Sequence, residues 1–124
     1  MNIITISGRL TRDAEIRYNQ NGFAVGHFTV AVDRPKKRDG EQEADFLPVV
    51  VFGKTAEFAE KYLAKGMKVG VVGRLQISKY ETREGEKRQR AEILGDNVEV
   101  LEWKEKPKQE NAGITDWNEE DFKF

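Results

Sequence analysis

Gly53-Lys54-Thr55 matches the end of a phosphate-binding P-loop, and it is the first place where residue types in this chain point to chemistry. A P-loop wraps phosphate in backbone amides and needs a glycine five residues before Gly53. That position holds Pro48, which has no amide to offer and a fixed φ. A nucleotide site is excluded, and Lys54 and Thr55 fall to the start of a helix instead. The chain has 22 Asp and Glu, yet none sits in an apolar setting that would raise a carboxyl for acid–base work. Glu57 and Glu60 lie on a helix face beside Lys61 and read as solvated. The single histidine, His27, is opposite in parity to Phe28 and reads as a packed or interface residue rather than a base. With no cysteine and one histidine, neither a thiolate site nor a histidine-rich metal cluster can be built. No enzyme activity, cofactor or metal is expected.

What remains is a set of cations interleaved with flat rings. A single strand of nucleic acid is held by cations along a groove and by aromatic side chains on which any base can stack. Tyr80 is the clearest such ring, because it shares strand parity with Gln76 and Ser78 and points away from Leu75 and Ile77. Phe46 and Phe52 share a parity on a strand that is apolar on both faces, so periodicity alone leaves them open between core and surface. The cations available to line a path are Arg9, Arg17, Lys36, Lys37, Lys54, Lys65, Arg74, Lys79 and Arg88.

The elements that must position these residues are mostly strands, since the first hundred residues are rich in β-branched and aromatic types. Asn2 to Leu10 reads as a first strand, bent at Gly8 and resumed through Glu15-Ile16-Arg17-Tyr18. Asn19-Gln20-Asn21-Gly22 is a turn, because Asn and Gly tolerate positive φ. Phe23 to Val32 is a second strand, with Phe28, Val30 and Val32 on one face. Asp33 to Glu43 is a charged loop, functional or mobile. Asp45 to Phe52 is a third strand, in which Pro48 implies an edge or a bulge. Thr55 to Lys65 is the one convincing helix: Ala56, Phe58, Ala59, Tyr62 and Leu63 form its apolar stripe, Glu57 and Lys65 suit its two ends, and Gly66 provides the stop. Met67 to Glu81 alternates, with Met67, Val69, Val71, Leu75 and Ile77 on one side. A turn around Gly85 leads to Gln89–Leu101, broken at Gly95-Asp96-Asn97. Five strands with a helix between the third and fourth is the order of an OB-fold, a small Greek-key barrel, and all-β with one helix is the expected class.

A chain of 124 residues has room for one such domain, expected over residues 1–106, with a tail over 107–124. No run approaches a membrane span, no basic leader precedes an apolar core, and a cytoplasmic protein is expected. The formal net charge is −1, which as an average argues against a polyanion as ligand. Its distribution does not: residues 1–106 hold 19 Lys and Arg against 17 Asp and Glu, whereas residues 107–124 hold 2 against 5. The tail has few apolar residues until its end and reads as disordered. There Glu119, Glu120 and Asp121 meet Phe122 and the terminal Phe124, a pattern that suits a peptide docking on a partner.

Taken in order, Ile6-Ser7-Gly8-Arg9-Leu10-Thr11-Arg12-Asp13, Glu15-Ile16-Arg17-Tyr18 with Asn21-Gly22, Val50-Val51-Phe52-Gly53-Lys54, Tyr62-Leu63-Ala64-Lys65-Gly66 and Val72-Gly73-Arg74-Leu75-Gln76 with Tyr80 resemble the bacterial single-stranded DNA-binding proteins across residues 2–102. The resemblance implies an OB-fold, a homotetramer around which DNA wraps, and base stacking at Phe46, Phe52 and Tyr80. In many members the positions of Phe46 and Tyr80 carry Trp. A further stacking ring expected on the charged loop is replaced by Lys36, and Leu47-Pro48 stands where polar or basic groups often meet phosphate. The linker is short, and Phe122-Lys123-Phe124 ends a tail where members usually close on an aliphatic residue, Pro and Phe. The acids and terminal Phe are kept, which implies docking onto replication and repair proteins. The rival readings are an OB-fold protein-interaction or primosome-type subunit with weak DNA affinity and, ranked below it, an RNA chaperone on the same barrel.

Overall fold

The computed structural model describes residues 1–104. Along them run β1 (Ile4–Leu10), β2 (Glu15–Tyr18), β3 (Ala24–Asp33), β4 (Ala44–Phe52), α1 (Gly53–Tyr62), β5 (Lys68–Glu81) and β6 (Lys87–Glu102). The tail positions Glu119, Glu120, Asp121, Phe122 and Phe124 lie outside the described residues.

β1 and β2 are the two halves of the expected first strand. Both lie against the same edge of β3, β2 beside Ala24 to His27 and β1 beside Val30 and Ala31. The interruption falls between Leu10 and Glu15, not at Gly8. Counted this way, five strands close a ring in the order β1-β5-β6-β4-β3 and back to β1, the expected OB-fold barrel with its helix between the third and fourth strands. Gly8 permits the closure. A Cβ at Gly8 would sit 2.1 Å from the carbonyl oxygen of Ala31, so any side chain there drives β1 away from β3.

Alternation fills the barrel from every strand. Phe28 and Val30 of β3, Val49 and Val51 of β4, Val69 and Val71 of β5, and Ile93 and Val98 of β6 join one core. Fully burying an aliphatic side chain of this kind contributes about 1.5–3 kcal/mol. α1 packs its Ala56, Phe58, Ala59 and Tyr62 into the same core.

The helix differs from its expected bounds. It starts at Gly53, whose φ of 58° turns the chain out of β4, and it ends at Tyr62 with Leu63 already extended. Glu57 therefore lies past the first turn, and Lys61 rather than Lys65 is the basic residue of the last turn. Leu63 and Ala64 are buried past the helix end, and Gly66 serves the following turn, where its amide donates to the Leu10 carbonyl at 2.8 Å. Burial of Leu63 and Ala64 against the core wins over a further helical turn.

Pro48 stands on an edge, as expected: β4 pairs with β3 along its length but with β6 only at Val49 and Val50. The expected break at Gly95-Asp96-Asn97 is a bulge inside a continuous β6, with Val72 opposite Asn97 and Gly73 opposite Gly95. Beyond it, β5 and β6 leave the barrel as a two-stranded ribbon. Leu75 and Ile77 keep the parity of Val71 but have no core beneath them, and they are 41% and 49% exposed.

Replacing Gly8 by Ala should destabilise the fold by about 2 kcal/mol or more, because backbone must shift at the seam. The shift of the urea midpoint checks this, and a midpoint equal to the parent's would contradict the account of closure.

Candidate nucleic-acid interface

Strand register decides which residues share the outer surface of the barrel. Phe46, Pro48, Val50 and Phe52 on β4 face Ala31, Thr29, His27 and Val25 on β3. Because Val49 and Val51 point into the core, this row points away from it, with Phe46 and Phe52 exposed, Pro48 half-buried and Val50 buried. The row continues sideways. Arg17 lies opposite Val25, Glu15 opposite His27, and Arg9 opposite Ala31. On the far side Val50 aligns with Leu94, Leu94 with Arg74, and along the ribbon Tyr80 with Arg88. Phe46, Phe52 and Tyr80 are therefore carried on one face, exposed at 64%, 42% and 49%. The alternatives that periodicity left open for the two phenylalanines close in favour of the surface.

The cations divide into groups. Arg17, Lys54, Arg74 and Arg88 accompany the rings: Arg17 shares the cross-strand row of Phe52, Lys54 follows Phe52 by two residues, and Arg74 and Arg88 share the ribbon face of Tyr80. Arg17 and Arg88 each hold one exposed carboxylate, Glu15 at 3.1 Å and Glu86 at 2.9 Å. Such exposed pairs contribute little and exchange readily. Lys79 is set apart, because its parity places it on the opposite face of the ribbon from Tyr80. Arg9 and Lys65 stand at the β1 end. Arg9 donates to the Gly66 carbonyl at 3.0 Å and to Glu102 at 2.9 Å, and its guanidinium holds the Glu102 carboxyl below its ordinary range. Lys65 is exposed beside it, its amide donating to Asp13 at 2.7 Å.

The β3–β4 loop is a hairpin braced by its own side chains. Arg34 reaches across its base, with Nε at 3.1 and 3.0 Å from the two Asp45 oxygens and Nη2 at 2.7 Å from one of them. Its Nη1 donates to Glu43 at 3.0 Å, and Lys37 meets the other Glu43 oxygen at 3.2 Å. Backbone bonds from Arg34 to Glu43 and from Lys37 to Glu41 complete the hairpin. The hydrogen bond from Arg34 holds the Asp45 carboxyl below its usual value. Lys36 is exposed on this loop, and Lys37 is engaged by Glu43.

His27 is exposed in the middle of the face, which leaves, of the packed and interface alternatives, the interface one. Among the described residues no group of three His, Cys, Asp or Glu is placed to hold a metal, and no helix is long and apolar enough to cross a membrane. Trp103 sits edge-on to Tyr62 with ring centroids 6.3 Å apart, against the helix. Sequence reasoning also missed Phe23, whose ring lies 6.4 Å from that of Phe52. Its odd parity, shared with Val25 and opposed to Phe28, was the available signal.

A model of the single-strand binding protein family matches residues 1–101. The chain belongs to the single-strand binding protein family. It is 46% identical over 104 residues to single-stranded DNA-binding protein 3 of Clostridium acetobutylicum, covering 83% of this chain and 72% of that one. A single-stranded DNA-binding protein of Clostridium tetani is 39% identical over 125 residues, covering 100% of this chain and 86% of that one. Among solved structures, the Plasmodium falciparum protein of this family in complex with single-stranded DNA matches with a TM-score of 0.74 and 25% identity, over 82% of this chain and 96% of that one. The OB-fold reading therefore holds in sequence and in shape.

The Arg34–Asp45 pair has a testable signature. A carboxyl held below its usual value adds stability at neutral pH that is lost as pH falls through the lowered value. Carboxyl-carbon NMR should find Asp45 titrating below an ordinary aspartate, and Arg34→Gln should return it to the ordinary range. An unchanged Asp45 in that variant would remove Arg34 as the cause.

Proposed function

We propose that this protein binds single-stranded DNA without sequence preference, laying the strand across the outer face of β2, β3, β4 and the β5–β6 ribbon. The observation that carries the reading is the placement of Phe46, Phe52 and Tyr80 on one exposed face with Arg17, Lys54, Arg74 and Arg88 beside them. Rings supply base stacking that is indifferent to sequence, and the guanidinium and ammonium groups meet phosphate. Lys36 and Lys37 extend the path over the loop, and Arg9 and Lys65 extend it past Ala31. Lys79 serves it least, from the far side of the ribbon. The names of the relatives and the DNA held by the structural neighbour support the same ligand.

The reading includes a homotetramer. β1 leaves one edge unpaired from Ile4 to Gly8, and the outer surface beside it exposes Ile3, Val72 and Leu101. An open strand edge next to apolar side chains suits pairing with a second copy. Glu119, Glu120, Asp121, Phe122 and Phe124 serve as the docking segment for replication, recombination and repair proteins, and the protein works in the cytoplasm on the nucleoid. The Clostridium tetani relative aligns across this tail as well as the domain. A second reading, a protein-interaction subunit with weak DNA affinity, is favoured by Pro48 and Lys36. Pro48 places a ring without donor or charge between Phe46 and Val50 on the outer face, and Lys36 adds no stacking surface on the loop.

Titration with poly-dT at two salt concentrations tests the proposal. The logarithm of the binding constant should fall with the logarithm of salt, by about 0.7 per phosphate neutralised. Phe46→Ala, Phe52→Ala and Tyr80→Ala should each weaken binding by roughly 1–3 kcal/mol per base stacked. No binding at low salt would defeat the proposal, and a Tyr80→Ala variant that binds as tightly as the parent would favour the second reading. Sedimentation mass with and without oligo-dT checks the tetramer.

A further inference from the structure

The stacking face does not end at Phe52. Phe23 precedes β3 and has the parity of Val25, so it stands on the outer side, and its ring is 48% exposed. It lies nearly parallel to the Phe52 ring, with 17° between planes and 6.4 Å between centroids. The two rings form a stacked pair, and both residues keep close to half of their surface in solvent. A Cβ at Gly53 would be 3.4 Å from Phe23 Cε1, so the ring rests over the start of α1.

The turn before Phe23 is braced by hydrogen bonds. The Asn19 side chain accepts the amides of Asn21 and Phe23, both at 2.9 Å, and the Asn19 amide donates to the Phe23 carbonyl at 3.0 Å. The backbone of Phe23 is therefore held by hydrogen bonds on both its amide and its carbonyl, and bracing of this kind lowers the ordering cost of binding. The neighbouring ring, Tyr18, does not compete for the role, because its hydroxyl donates to Glu60 on α1 at 2.6 Å and holds it toward the helix. Arg17 and Lys54 flank the pair as exposed cations.

We propose that Phe23 is a further base-stacking residue, carrying the path of single-stranded DNA past Phe52 to the β2–β3 turn. The inference rests on the proposed DNA-binding function and adds a platform at the end of the barrel opposite the Lys36 loop. A flat ring whose neighbour is another flat ring, between two cations, fits a base and its phosphates better than it fits an aliphatic partner surface.

The test uses the full-length protein with oligo-dT carrying 5-iododeoxyuridine, irradiated and mapped by peptide mass spectrometry. Affinities for oligo-dT and oligomer masses of Phe23→Leu and Phe23→Trp are measured alongside. A crosslink at Phe23, a loss of about fivefold or more in Phe23→Leu, retention in Phe23→Trp and unchanged masses are the expected result. Crosslinks at Phe46, Phe52 or Tyr80 without one at Phe23 would overturn the inference while leaving the DNA-binding function standing. Weakened binding of Phe23→Leu without that crosslink would make Phe23 a buttress of Phe52, and an altered oligomer mass would make it a subunit contact. Either outcome overturns it. A parent protein that neither binds nor crosslinks would remove the underlying function, and the inference with it.

Discussion

Closure of the barrel at Gly8 is the constraint on which the outer face depends. β1 pairs with β3 at only two positions, Arg9 with Ala31 and Leu10 with Val30, and the Gly8 backbone passes so close to Ala31 that no side chain fits. Once the ring is shut, each strand within the barrel has one side toward the core and the other away from it. Core demand for Val49 and Val51 then places Phe46 and Phe52 outside, since strand side chains alternate with a period of two. The rings are displayed as a consequence of packing on the far side of the same backbone.

This coupling explains how much was legible in the residues. Where a strand is polar on one side, as around Gln76, Ser78 and Tyr80, alternation alone assigned the ring to the surface. Along β4 both sides are apolar, so period two could not say which one the core would take; the pairing of Val49 with Ile93 and of Phe28 with Val49 supplies the answer. Helix bounds failed for a related reason. The stripe through Leu63 fits helical spacing, but Leu63 and Ala64 are buried in extended backbone and a turn. Local periodicity saw their burial and could not see the path of the chain.

Ion pairing was beyond sequence reasoning altogether. Nothing in the run from Asp33 to Glu43 announces that Arg34 will grip Asp45 and Glu43 across the loop, because the partners are 9 and 11 residues away. The same holds for Arg9 and Glu102, separated by 93 residues. Counting cations identified candidates, and the fold placed some beside the rings, some at the β1 end or on the β3–β4 loop, and Lys79 on the other side of the ribbon.

The bracing of the β3–β4 loop sets what a phosphate would meet there if the proposed path crosses it. Asp45 and Glu43 are tethered next to Arg34, so they act as an anion at high effective concentration, the intramolecular competitor of any incoming phosphate. Contact with Arg34 is then an exchange of one anion for another and not an addition, with fewer counterions released than for an unpaired cation. A strand laid on this loop would gain less affinity than its four Lys and Arg imply. It can also be let go quickly, because the displaced carboxylates stay within reach.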